Sequence, residues 1–186
     1  MEEYQKRFKE RTLKHIDLVN EFAESIGYTF PHHDIDKLGP LFKDYSLSFK
    51  YDQGYDTTVG LTDDEMDRYN QATIKHITSN PHHPEYFLNR RDMERVVNEF
   101  TRDNPPIGLD CSKMTESAII EMCCDWCAMS EEFGNTPWDW FDQTCGMISD
   151  DGKKNVGPDY CRWLFTIKQW KLIIDTLNKL WGDNGD

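Results

Sequence analysis

The 186-residue chain carries six histidines, at positions 15, 32, 33, 76, 82 and 83. His33 is followed directly by Asp34, and His82 and His83 are adjacent. Imidazole nitrogen combined with carboxylate oxygen suits manganese, iron, zinc, cobalt, nickel or magnesium rather than copper(I). Neighbours at a helix start, such as His33-Asp34, can both turn toward one ion. A second signal lies in the apolar stretch ESAIIEMCCDWCAM, where Glu121 and Asp125 are the only charged residues between Ile119 and Met129. They are four apart and share one helix face. An unpaired carboxylate there costs several kcal/mol, so a positive partner is expected opposite Asp125, and a metal ion is a candidate. Each histidine taken alone reads as a hydrogen-bonded core residue, and each acid as a helix cap or an arginine partner. Their joint occurrence favours a shared site.

These residues need elements to bring them together. Phe8, Thr12, His15, Val19, Phe22 and Ile26 recur at threes and fours and predict a first helix closed by Gly27, with His15 on the edge of its buried stripe. YTFPHHDIDKLGP predicts a turn, a polar cluster and a short helix stopped at Gly39-Pro40. Residues 41–60 read as a short helix and a loop. Thr62 to Glu65 form a capping box opening a helix to Ser79, with His76 toward the core on the side of Tyr69 and Ala72. Asn80-Pro81 ends it. A continuous helix would carry His82 and His83 away at about 1.5 Å per residue. The Pro-bounded turn can instead fold one of them back, so His76 and one of the pair are expected to face the same pocket as Asp34.

Residues 91–101 read as a surface helix and 102–113 as a connector. Ser112 or Thr115 caps the apolar helix to about Phe133, and a short helix follows from 137 to about 147. SDDGKKNVGPD reads as an exposed loop. The last helix shows the stripe Trp163, Ile167, Trp170, Ile174, Leu177 and Trp181, expected to pack in the core. The fold class expected is all-α, a single domain over residues 1–181 with almost no strand and a fraying tail at 182–186.

Lys and Arg number 21 against 34 Asp and Glu, a net charge of −13. That balance speaks against coating duplex DNA or docking on anionic lipid. It leaves room for a small phosphorylated ligand, because a bound cation inverts the local field. No apolar run reaches the roughly 18 residues of a membrane span, and MEEYQKRFKERTLKH lacks the apolar core of an export signal. A cytoplasmic location is therefore expected. The six cysteines contain a single Cys-x-x-Cys spacing, Cys124 with Cys127, and are expected to be reduced, buried and free of zinc. Most of the aromatic residues read as core, with Tyr86-Phe87 and Trp138-Trp140 as candidates to stack a nucleobase.

His15, His33-Asp34 and Asp125, each expected on a different element, resemble the H…HD…D pattern of the HD-domain metal-dependent phosphohydrolases, and HDIDK is similar to their HDxxK variant. The set LKHIDLVN, HDIDK, KH…NPHHPEYF and EMCCDW also resembles bacterial and phage proteins with KH, HDxxK, HHxEYW and MxxDW motifs, with Phe87 where Trp is usual. This covers residues 12 to 130. The resemblance implies an HD-type helical bundle in which His15, His33, Asp34 and Asp125 hold one divalent ion. It implies that Asp34 bridges to a second ion completed by His76 and by His82 or His83. It makes Asp34 and Lys37 the catalytic pair, Lys37 contacting a phosphate oxygen or the activated water, and Asp36 and Glu121 residues that orient ligating histidines. Glu85, Lys14, Arg90 and Arg91 read as solvated charges. The function implied is hydrolysis of a phosphate ester, of a nucleotide in particular, in the presence of one or two ions of Mn, Fe, Ni, Co, Zn or Mg. The partner expected is that small substrate, with a homodimer left open. The rival reading is a non-catalytic metal-binding or interaction protein, such as a phage accessory factor, that keeps the pocket.

Overall fold

The computed structural model describes residues 1–51, 58–101, 104–148, 155–156 and 161–182. Among them the chain is mainly helical: α1 Glu3–Ser25, α2 Phe42–Tyr45, α3 Asp63–Ser79, α4 Arg90–Glu99, α5 Glu116–Phe133, α6 Pro137–Thr144 and α7 Ile167–Leu180. Single 3-10 turns occupy Ile35–Leu38, Ser46–Phe49 and Pro84–Phe87. Threonine side chains cap the starts of four helices, Thr62 for α3, Thr115 for α5, Thr136 for α6 and Thr166 for α7, each accepting from an amide that has no partner within the helix.

α5 is the axis of the packing. It is apolar on nearly every side, as a helix enclosed by others must be. Ile119, Met122, Cys123, Trp126 and Cys127 enter the larger core with Ile173 and Leu177 of α7. Its other side meets α1, where Val19 and Ala23 pack on Ile120, Cys124 and Ala128. The small side chains in that seam, Ala23, Cys124 and Ala128, let the two helices approach closely. All six cysteines are free and buried, and Cys124 serves as packing in this seam. No helix of the described residues is long and apolar enough to cross a membrane.

Three expectations change. The chain has a small sheet: β1 Leu109–Asp110, β2 Cys145–Ile148, β3 Asn155–Val156 and β4 Trp163–Phe165, in the order β1-β4-β2-β3. β4 lies between β1 and β2, parallel to both, and β3 is antiparallel to β2. Strands of two to four residues are too short to show alternation, and all three residues of β4 are buried, as suits a parallel strand covered on both faces. The helix expected to reach about 147 therefore stops at Thr144. The last helix also starts later and is rotated so that its most buried side centres on Ile173 and Leu177, while Trp170, Ile174 and Trp181 of the expected stripe still pack half-buried against the core. Trp163 belongs to β4, Ile167 is 39 % exposed, and the residues buried are Gln169, Ile173, Thr176 and Leu177. Gln169 sets that rotation: its amide donates to the carbonyls of Cys111, Ser112 and Met114 at 3.2, 3.1 and 2.9 Å, while its oxygen accepts from the Thr166 amide at 2.8 Å. Most of the expected exposed loop and all but Gly182 of the expected frayed tail lie outside the described residues.

The rotation of α7 is testable by truncation. Ile173→Ala is expected to cost about 2–5 kcal/mol as a core cavity, and the half-buried Ile174→Ala distinctly less. Urea denaturation of the two variants checks this, and an equal or larger loss at Ile174 would restore the stripe read from sequence.

Candidate metal centre

Close packing of α1 on α5 places His15 opposite Asp125, with Nε2 2.9 Å from Oδ1. Asp34 supplies the next piece. It caps the 3-10 turn after Pro31 in the left-handed region, at φ 55°, alone among the described non-glycine residues. Asp tolerates this conformation better than most residues, and there the chain presents two successive side chains to one point. His33 Nε2 and His15 Nε2 each lie 3.8 Å from Asp34 Oδ2, and His33 Nε2 is 3.8 Å from Asp125 Oδ1. The other oxygen of Asp34 faces a different group. His76 Nε2 is 3.2 Å and His82 Nε2 3.5 Å from Oδ1.

The break at Asn80-Pro81 folds the chain back as its residues suggest. The His83 amide donates to the Asn80 carbonyl at 3.0 Å, and His83 Nε2 comes within 2.9 Å of His76 Nε2. Both members of the His82-His83 pair, rather than one, therefore join His76. Three sets result, each with one donor atom per residue within 4.8 Å of the others: His15-His33-Asp125, Asp34-His76-His82-His83, and His33-His82-Glu121, which shares a histidine with each of the first two. Every metal-ligand candidate named from the sequence is in one of the first two. His32 is exposed and takes no part.

Behind the histidines stands a ring of carboxylates. His33 Nδ1 donates to Glu121 Oε1 at 3.0 Å, and His82 Nδ1 lies 3.4 Å from the same oxygen. His76 Nδ1 donates to Asp36 Oδ2 at 2.9 Å, which also accepts from Asn80 Nδ2 at 2.7 Å. His15 Nδ1 is 3.3 Å from Glu132 Oε1. Nδ1 of His33 and of His76 is hydrogen-bonded to a carboxylate while Nε2 turns inward, the arrangement that fixes the tautomer of a metal-ligating histidine, and Nδ1 of His15 and of His82 faces one at 3.3 and 3.4 Å. Asp36 and Glu121 thus contact the histidines behind which the sequence reading put them. Glu132 was missed, although it returns to the Glu121 and Asp125 side of α5 further along the helix. Its other oxygen is 2.6 Å from an Nη of Arg11, one turn before His15.

Burial and charge act in opposite directions here. Burial alone would drive Asp34 toward its neutral form, but Lys37, His33 and His76 hold it well below the usual carboxylate range. Lys37 Nζ donates to Asp34 Oδ2 at 2.6 Å. Burial resists protonation of His15, yet Asp125 and Glu132 raise it to about 9. Asp34 and Glu121 raise His82 to about 9 against the same burial. Burial lowers His33. Burial, and then the positive fields of His82 and His76, push His83 well down. His33 Nε2, His82 Nε2 and Asp34 Oδ1 are buried without a hydrogen-bond partner among the described residues. Buried polar atoms are rarely left so. Inward-facing orphan donor atoms on two nitrogen-and-oxygen sets fit divalent ions of the kind the residue types suggest.

The cluster opens on a cavity of about 250 Å³ whose wall includes His15, Lys37, His82, His83 and Asp125. Three of the residues read as solvated charges, Lys14, Arg90 and Arg91, are exposed. Glu85 is the exception and corrects that reading: it is fully buried, its Oε1 accepting from Trp163 Nε1 at 2.6 Å and from an Nη of Arg162 at 2.7 Å. Of the aromatic candidates, Trp138 is buried in the core, Tyr86 is exposed and Trp140 lines the cavity.

A histidine raised above its unfolded value of 6.5 lends stability that is complete below that pH and is lost as the pH rises through the folded value. Chelator-treated protein is therefore expected to lose stability between pH 6.5 and about 9 through His15 and His82. Urea midpoints across that range check it: His15→Gln should shallow the decline, and a flat wild-type profile would contradict it.

No curated protein and no solved structure matches the chain. A family model described as a family of unknown function, DUF5662, matches residues 4–169. That span contains α1 but for its first residue, α2 to α6, the sheet and every side chain of the cluster. The chain belongs to the DUF5662 family.

Proposed function

We propose that the chain is an HD-type metal-dependent phosphohydrolase acting on a phosphate ester of a nucleotide. The observation that carries this reading is the position of Asp34 between two donor sets, one on each carboxylate oxygen. His15, His33, Asp34 and Asp125 would hold one ion, and Asp34, His76, His82 and His83 a second. Two such ions would lower the pKa of a coordinated water toward neutrality and draw charge from the phosphoryl oxygens.

The chain's own groups supply the rest. Lys37 reaches Asp34 from the cavity wall, and its ammonium can leave one acceptor for a phosphoryl oxygen within the same pocket. There it offsets charge that grows in the transition state. Burial of Asp34 and the tautomer-fixing contacts of Glu121 and Asp36 hold inward nitrogens in place before substrate arrives. The apolar part of the cavity takes the leaving alcohol and keeps bulk water from it.

The test is metal analysis of the purified protein, then assay of the loaded protein against nucleoside phosphates, cyclic nucleotides and simple phosphomonoesters. Uptake of two ions and turnover of at least one nucleotide is expected. The double variant His76→Ala with His83→Ala should retain one ion and lose turnover by about two orders of magnitude or more, the scale on which removing a preorganised electrostatic contact acts. Uptake without turnover on any substrate would favour the non-catalytic metal-binding or interaction protein.

An ion that binds only the folded chain stabilises it by mass action, by about 2.7 kcal/mol at a concentration one hundred times the dissociation constant. A chelator should lower the melting temperature of wild type and leave Asp34→Asn unmoved. Asn is the replacement of choice because it also tolerates the left-handed backbone. Equal chelator effects on both proteins would remove Asp34 from the metal centre.

A further inference from the structure

Part of the cavity wall carries polar atoms that the described residues leave unpaired. Trp140 Nε1 and Arg162 Nε are buried donors without a hydrogen-bond partner among the described residues, and both side chains line the cavity. Leaving such a donor unmade forfeits its hydration with nothing in return. Two of them on one cavity point to acceptors brought by whatever the cavity holds.

The surrounding wall is flat and aromatic. The Arg162 guanidinium lies 4.8 Å from the ring centroid of Trp163 and 5.4 Å from that of Phe100. Trp126 runs nearly parallel to Trp163, at 16° and 6.1 Å between centroids, and it follows Asp125 in the chain. The aromatic surface is thus continuous with the metal centre. Glu85 pins it, since the same Oε1 holds Trp163 Nε1 and Arg162. Glu85 comes two residues after His83, so one short segment carries two inward imidazoles and the anchor of the wall. Only Oε1 of Glu85 is engaged; its Oε2, also buried, is left without a hydrogen-bond partner among the described residues, as is Arg162 Nε.

We infer that this wall recognises the nucleobase of the substrate, the base packing on the aromatic surface and accepting hydrogen bonds from Trp140 Nε1 and Arg162 Nε. A flat heterocycle with carbonyl or ring-nitrogen acceptors meets both requirements, whereas an aliphatic alcohol would leave the two donors orphaned. The volume of about 250 Å³ is at the small end for ligand pockets and suits a mononucleotide rather than a polymer. The inference rests on the phosphohydrolase reading for the placement of the phosphate, and it adds Trp140 and Arg162 as specificity-determining residues with Glu85 as a positioning residue.

Binding rather than turnover tests it. Metal-loaded wild type, Trp140→Phe and Arg162→Lys are titrated by calorimetry with the nucleoside 5′-monophosphates of the four bases, with ribose 5-phosphate and with inorganic phosphate. Wild type is expected to bind at least one nucleotide more tightly than ribose 5-phosphate. Trp140→Phe keeps the ring and loses the donor, and should cut that ratio about five- to tenfold, the value of one hydrogen bond. Arg162→Lys should reduce it as well, with melting temperatures reported alongside. Equal binding of nucleotide and ribose 5-phosphate by wild type overturns the inference, as does an unchanged ratio in both variants. Loss of the phosphohydrolase reading is seen separately, as a base preference in binding without turnover.

Discussion

Asp34 is 1 % exposed, and an ionised carboxylate is among the costliest groups a fold can bury. Its two oxygens must be met by positive charge or hydrogen-bond donors that arrive in the right place without water's help. Here Lys37, three residues on, approaches one oxygen, and imidazoles from α1, α3 and the turns around residues 33 and 82 surround both. Those elements are far apart in sequence. Positioning Asp34 therefore fixes how α1, α3 and the 80–87 segment sit around α5. The backbone records the same constraint, since Asp34 is the described non-glycine residue in the left-handed region. Strained conformations of this kind persist where the surroundings over-determine them.

α5 makes the arrangement possible by serving two purposes along its length. Its apolar sides bury against α1 and α7, while Glu121, Asp125 and Glu132 share the remaining side. The seam with α1 is lined by Ala23, Cys124 and Ala128. Larger side chains there would push the helices apart and open the His15–Asp125 contact of 2.9 Å. Cys124, which suggests chemistry by its type, is thus a spacer, and the candidate ligands are the carboxylate and imidazole groups beside it.

The inward residues were legible because their types are rare on apolar surfaces and helix periodicity says which of them share a side. His15 among Phe8, Thr12 and Val19, and Glu121 with Asp125, need no knowledge of partners. The Asn80-Pro81 break likewise announces itself, and its consequence for His76 and His83 follows from geometry. What stayed hidden depends on residues distant in sequence. Glu85 looks like a surface acid until β4 brings Arg162 and Trp163 to it, and β4 is three residues long, too short to alternate. The rotation of α7 turns on Gln169, a polar residue drawn inward by three carbonyls of the 111–114 turn. A hydropathy stripe counts such a residue as outward-facing. Glu132 could have been found by following the Glu121 side of α5 past Met129 into its last turn.

Glu121 shows why the two donor sets act as one centre. A single oxygen faces Nδ1 of His33, which belongs to one set, and Nδ1 of His82, which belongs to the other. Any shift of that carboxylate reorients a histidine on each side, so the sets cannot be arranged independently. Charge leads to the same conclusion. Among the described residues Asp34, Asp36, Glu121, Asp125 and Glu132 face Lys37 and Arg11 as the nearby fixed cations, which leaves three negative charges over. Protons raised onto His15 and His82 offset two of them in the free chain. A divalent cation offsets the same two, and the imidazoles it displaces from their protons are left as neutral nitrogen donors. The excess of carboxylates behind the histidines thus does more than orient rings. It sets a local field that demands positive charge at the point where six inward side chains and Asp34 converge, and the aromatic wall anchored by Glu85 limits the water available to screen it.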